Sequence, residues 1–369
     1  MLELLKELHS PKLSQALLGE VITLADAFTH KFNRKPVFME VCGSHTMALA
    51  RTGLKTRLKG HLTLVSGPGC PVCVTDQKSI DSMIALAEGD NRIICTFGDM
   101  MRVPGSRKTL MDAKTEGKDV RVVYAPTDAI GIAEKHPDKE VIFLGIGFET
   151  TIPILAVVLK EANERKLTNF SMWVTTKLIE PILRYLLDSG EVKIDGFLLP
   201  GHVSMILGTE HYEYLAQEYG VAGVISGFEP VQMASSIYHL LKLALNGEAE
   251  IVNDLSSIVG ANGNPVAQRL MQTYFNPCDE EWRGIGSIPN SGLDIREQYN
   301  HLDAKLKFEI PAIEVRKTKC RCGEVIRGLI SPPECRLFGA ACTPVQPVGP
   351  CMVSTEGTCA AHYAYTRED

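Results

Sequence analysis

Residues 141–166 read "VIFLGIGFETTIPILAVVLKEANERK". The first six are apolar without a break, as in a strand covered on both faces rather than one. A turn containing glycine, "GFETT" (147–151), follows. Then "IPILAVVLKEANERK" carries apolar residues at helical spacing towards a charged end. Strand, turn and helix in that order make half of a crossover unit, the device that joins parallel strands.

The unit recurs on both sides. "PVFMEV" (36–41), "HLTLVS" (61–66), "RIICTF" (92–97) and "VRVVYA" (120–125) form one series. "VIFLGI", "FSMWVT" (170–175), "IDGFLL" (194–199) and "AGVISG" (222–227) form a second, and helical stretches such as "DQKSIDSMIALAEGD" (76–90) lie between. The pattern predicts an α/β fold: an N-terminal helical segment (1–35), then two consecutive parallel-sheet α/β domains (36–135 and 136–248) facing a cleft. The polar run "NGEAEIVNDLSSIVGANGNP" (246–265) breaks the alternation. The third region, 249–369, has one helical piece, "VAQRLMQTYF", and then a Pro-, Gly- and Cys-rich tail. Such a tail builds little core alone and is expected to be cross-linked by metal or disulfide.

Composition narrows the function. The chain has 369 residues, 45% apolar and 22% charged, with a net charge of -6. An acidic balance argues against a nucleic-acid or anionic-membrane binder. The N-terminal pattern lacks a signal peptide's apolar run, and no apolar run reaches the ~18 residues of a membrane span. A cytoplasmic protein is expected. Eleven cysteines in such a chain favour metal or redox chemistry over a disulfide framework.

Parallel sheets bind ligands beyond the carboxyl ends of their strands. The segments there are "CGSHT" (42–46), "GPGCPVCVT" (67–75), "GDMMRVPG" (98–105), "GFETT" (147–151), "PGHVS" (200–204) and "GFEP" (227–230). Candidate site residues are therefore Cys42, His45, Cys70, Cys73, Asp99, Glu149, Thr150, His202 and Glu229. Structural readings stand beside the functional ones. Asp99, Glu149 and Thr150 also suit helix N-caps, and His45 and His202 also suit packing positions. Cys95 reads as a core thiol and Cys278 as a structural one. Cys70-x-x-Cys73 is the sharper signal: a strand-to-helix turn sets its thiols at a helix N-terminus, which favours the thiolate that metal binding and disulfide exchange both need. In the tail, Cys322, Cys335, Cys342 and Cys359, with Cys320 and Cys351 beside them, suit an all-thiolate site. The absence of paired Cys-x2-Cys knuckles tilts the reading from zinc towards an iron–sulfur cluster.

Taken in order, "CGSHT", "GPGCPVCVT", "FGDMMRVPG", "GFETT", "PGHVSMILG", "GFEP", "RCGEV" and "EGTCAA" resemble the HypD family of hydrogenase maturation factors, from about residue 36 to the C-terminus. Ser44 stands where the family often carries glycine. The resemblance implies two α/β domains and a third holding a 4Fe-4S cluster on Cys322, Cys335, Cys342 and Cys359. It implies that Cys42, Cys70 and Cys73 handle iron and redox chemistry in the cleft, with His45 as a proton carrier. It also implies assembly of the Fe(CN)2CO unit of NiFe-hydrogenase, together with the chaperone HypC and with cyanide from HypE. Cys320 and Cys351, left over from that ligand set, are expected to pair as a redox disulfide. The expected role is a scaffold with redox activity inside a complex. The rival readings are a stand-alone iron–sulfur-dependent disulfide reductase and a zinc-stabilised binding protein.

Overall fold

The computed structural model describes residues 11–316 and 318–366. Residues 1–10 of the expected N-terminal helical segment lie outside the described ones. From Pro11 the segment is a helix, Pro11–Phe32, that buries Val21 and Ala25 among Met233, Ile237, Leu240 and Leu241.

Nine parallel strands follow: β1 (Val37–Glu40), β2 (Thr63–Ser66), β3 (Arg92–Thr96), β4 (Asp119–Val122), β5 (Glu140–Gly147), β6 (Phe170–Thr176), β7 (Gly196–Pro200), β8 (Ala222–Ser226) and β9 (Ile251–Asn253). They form two parallel sheets, as expected, but not two consecutive ones. The order is β2-β1-β7-β8-β9 in one and β4-β3-β5-β6 in the other. The second sheet is thus inserted within the first. The chain leaves the first sheet after β2, completes β3 to β6, and returns at β7, which pairs with β1 through Phe38 to Gly196 and Glu40 to Leu198. Dividing the strands at residue 135 separates β3 from β5 and β1 from β7. Apolar periodicity marks a strand but carries no record of which strand it pairs with, and that is the source of the error.

The third region contains an element that the sequence reading did not resolve. After the expected helix, Pro265–Tyr274, an antiparallel hairpin runs through β10 (Phe275–Trp282) and β11 (Gly286–Ile295). Pro277, Pro289 and a register shift between Cys278 and Glu280 interrupt its two-residue alternation, so the pattern is hidden. The Cys-rich tail has short helices at Cys322–Val325 and Thr358–Tyr365. It borrows its core: Cys322, Ile326, Cys351 and Val353 join the same apolar cluster as Met39, Val72, Ile94 and Leu144.

Candidate functional site

The register of β1 on β2, which sets Glu40 opposite Ser66, brings the loops after those strands side by side. Cys42 caps the helix Gly43–Arg51, and Cys70 caps the turn of helix Pro71–Val74, with Pro71 at its first position. Gly43 N–H donates to the Gly69 carbonyl at 3.3 Å. Gly69 has to be glycine here, because a Cβ would stand 2.4 Å from the Cys42 Cα and N. Cys70 and Cys73 are joined as a disulfide, with Cα atoms 5.3 Å apart. Cys42 remains a thiol. Burial pushes it up to about 11, outweighing hydrogen bonds from the His45 and Ser44 backbone that favour the thiolate.

The tail closes over these loops. Ser44 Oγ donates to Glu356 Oε1 at 2.6 Å, and Gly43 lies so close that a Cβ would meet the Glu356 Cβ at 2.6 Å. Behind them Cys320, Cys322, Cys335, Cys342, Cys351 and Cys359 line one small cavity with Val325, Leu337, Phe338 and Met352. All six are free thiols. Cys351 Sγ lies 2.8 Å from the sulfur of Cys322, not of Cys320, and Cys322 Sγ is 4.0 Å from the Cys73 carbonyl. Hydrogen bonds from Cys320 and Cys351 draw Cys322 well towards its thiolate. Among the described residues no three His, Cys, Asp or Glu side chains are arranged around a single metal ion. Six convergent thiols in an apolar wall nonetheless have the donor chemistry that an iron–sulfur cluster requires.

The other expected residues separate into distinct places. His45 is fully buried, and its Nε2 donates to the carbonyls of Ser226 (3.2 Å) and Gly227 (3.0 Å). Burial pushes it down to about 4, so the ring is neutral, and Nδ1 is left without a partner. Phe228 lies between His45 and the exposed His202, with centroids at 4.6 and 4.5 Å. Glu229 caps the helix Pro230–Asn246 in a capping box with Gln232. Asp99 is half-buried in a 3-10 turn and Thr150 is exposed.

Glu149 stands apart from the thiols. It lines a cavity of about 680 Å³ with Leu178, Leu207, Met271, Phe275 and Ile288, and none of Cys42, His45, Cys70 or Cys73 reaches that cavity. Its Oε1 accepts from Ile179 N–H at 2.8 Å, while Oε2 is buried without a partner. Burial pushes the carboxyl up to about 7 from its ordinary 4.5. A folded-state value above the unfolded one means stability is complete below about pH 4.5 and erodes as the pH rises to about 7, by roughly 3 kcal/mol in all. Glu149→Gln is expected to abolish that loss. Urea unfolding at pH 5 and pH 8 reads it, and parallel shifts in both proteins would contradict the assignment.

Sequence reading missed Lys177, Glu280, Arg283 and Glu356. Lys177 ends β6 fully buried, with Nζ 3.0 Å from Glu280 Oε1. A lysine closing the apolar run "FSMWVTTK" was a visible signal. Arg283 and Glu356 gave none, since their partners are remote in the chain.

An α/β scaffold that collects three cysteines at adjoining strand ends and six more in a tail folded against them belongs to the class of thiol-rich cofactor-handling proteins. The comparisons with known proteins specify which. The profile described as "Hydrogenase formation hypA family", HypD, matches residues 16–366. The chain is similar to hydrogenase maturation factor HypD2 of Bradyrhizobium diazoefficiens, at 44% identity over 90% of each chain. It is likewise similar to HypD of Cupriavidus necator (43%, 89% of each) and of Escherichia coli (38%, 98% of each). The chain belongs to the HypD family of hydrogenase maturation factors.

Proposed function

We propose that this chain is a cytoplasmic scaffold on which the Fe(CN)2CO unit of NiFe-hydrogenase is assembled, in complex with a HypC-type chaperone and with cyanide delivered by a HypE-type donor. The observation that carries the reading is the placement of three sulfur sites in series: Cys42 against the Cys70–Cys73 loop through Gly69, and Cys322–Cys351 directly behind Cys73.

Each site has a task that suits its surroundings. Cys42, a thiol in the resting chain, loses its proton on binding the iron substrate, because a coordinating metal deprotonates a thiol outright. His45, neutral and held through Nε2 on the Ser226 and Gly227 carbonyls, leaves Nδ1 free as a hydrogen-bond acceptor, and its backbone N–H supports the Cys42 sulfur. Freeing cyanide from a thiocyanate, R–S–CN, takes two electrons. The Cys70/Cys73 dithiol closes to a disulfide, and its two protons leave with R–SH and HCN. Thiol–disulfide exchange restores the dithiol. The Cys322 thiolate attacks Cys73 and expels Cys70, then Cys351 attacks Cys322 and expels Cys73. The Cys322–Cys351 disulfide forms as the Cys70–Cys73 bond opens, with two protons passing across.

On this reading the cluster takes a ligand set different from the one the resemblance implies. With Cys322 engaged by Cys351, the residues to hold a 4Fe-4S cluster are Cys320, Cys335, Cys342 and Cys359. When bound, the cluster supplies electrons to the neighbouring sulfurs. Anaerobically purified chain is expected to be brown. Cys322→Ser should retain the visible absorption, whereas Cys320→Ser and Cys335→Ser should lose it. Loss in Cys322→Ser with retention in Cys320→Ser would restore the earlier set, and a colourless, zinc-loaded chain would remove the redox reading. The scaffold reading also expects no reduction of a generic disulfide by the chain alone; turnover without partners would favour a free-standing reductase.

A further inference from the structure

Between the two thiol pairs lies the turn of the β10–β11 hairpin, Trp282–Arg283–Gly284, which has no part in the chemistry above. One side of it straps the chain just beyond Cys73. Arg283 N–H donates to the Val74 carbonyl at 2.9 Å, Nε donates to the Thr75 carbonyl at 2.8 Å, and Nη1 donates to Gln77 Oε1 at 2.9 Å. Thr75 and Trp282 form an isolated antiparallel bridge. The other side meets the chain just beyond Cys322. Gly284 and Gly323 touch backbone to backbone, so that a Cβ on either would stand 2.6 Å from the other's Cα.

The turn is itself held from behind. Trp282 is buried, its Nε1 donating to Ser291 Oγ at 2.8 Å, and Glu280 holds Lys177 in a buried ion pair. A rigid element thus touches the residues that follow Cys73 and Cys322, where the sulfur of the second is already 4.0 Å from the carbonyl of the first. One guanidinium nitrogen, Nη2, is buried and has no hydrogen-bond partner. Pure fastening would not require it.

We propose that this turn couples the two thiol pairs and that Arg283 is its positioning residue, holding the Cys73 segment at the separation and angle that exchange with Cys322 demands. The proposal rests on the exchange reading above. Exchange requires the attacking sulfur to lie in line with the bond it breaks, so a slip of the 74–77 segment slows the reaction without altering the stability of either disulfide.

The test uses the full chain, purified anaerobically. Both pairs are poised in dithiothreitol buffers, quenched with an alkylating reagent and read by peptide mass spectrometry. This gives each pair's midpoint potential and, after a rapid jump in poise, the rate at which Cys70/Cys73 opens as Cys322/Cys351 closes. Arg283→Gln is expected to slow this exchange about tenfold or more, beyond what any shift in potential from losing the charge near Cys322 accounts for. Arg283→Lys, which keeps the charge but not the fork, should recover part of the rate. Should Arg283→Gln fail to fold, Gln77→Glu keeps an acceptor for Nη1 and should leave exchange near the wild-type rate, whereas Gln77→Ala removes that acceptor, together with the Gln77 Nε2 bonds to Asp81 and the Pro104 carbonyl, and should slow exchange about threefold or more. Wild-type exchange rates in Arg283→Gln or Gln77→Ala, or a slowing fully accounted for by a shifted potential, overturn the proposal. Absence of exchange in the wild type overturns the relay itself, a result distinct from either.

Discussion

Lys177→Ala is expected to destabilise the chain by about 3–5 kcal/mol, the usual cost of removing one partner from a buried ion pair. Lys177 is fully buried at the end of β6, and its partner Glu280 is 8% exposed. Without the lysine, Glu280 keeps its charge away from water with no counter-ion, or must take up a proton. Burial lowers the Lys177 pKa, and the Glu280 carboxylate opposes that shift. Lys177→Met should therefore fare little better than alanine. The double variant Lys177→Met, Glu280→Leu, which removes both charges, should recover most of the loss. Urea midpoints of the wild type, Lys177→Met, Glu280→Leu and the double variant form a cycle that isolates the pair. If the single variants unfold with the wild-type midpoint, the pair contributes nothing.

Cys73→Ser is expected to reduce hydrogenase maturation about a thousandfold or more in a host lacking its own factor, on the scale seen when a reacting group is deleted. The folded chain should survive. Cys73 sits in a small turn of helix, serine differs from it by one atom, and the apolar packing around Val72 and Val74 is untouched. Visible absorption from the tail should also persist, since Cys73 is not among its six thiols. Hydrogenase activity, cyanide transfer and the spectrum together decide the matter. Normal maturation by this variant would show that the pair does not carry the electrons; loss of the spectrum would show a structural defect instead.

The chain announces its strands and the loops beyond them, because buried parallel strands are continuous apolar runs and glycines mark the turns. "VIFLGI" became β5, and "HLTLVS" became β2 with the dithiol loop at its end. What stayed hidden depends on pairing across distance. β1 meets β7 across more than a hundred residues, and nothing local to either says so. The hairpin was masked by Pro277 and Pro289, which hairpin strands tolerate at exposed positions. The Cys320-x-Cys322 spacing could not reveal which sulfur meets Cys351, because Cys351 is remote in the chain and only the fold selects between them. Glu229 and Glu149 both follow apolar strand runs in the sequence. Burial distinguished them: one caps a helix, the other holds an unpartnered oxygen inside a cavity.

The insertion of one sheet within the other bears on the order of events at the ribosome. The loops of Cys42 and Cys73 rest on β1 and β2, yet β1 is unpaired on one edge until β7 emerges, more than 120 residues after Cys73. At elongation rates of about 5–20 residues per second, that is a wait of roughly 6–25 s. The inserted sheet has all its strands before then and is free to close first. The nascent thiols are thus exposed to the cell's reductants and oxidants before the tail that shelters them has been made.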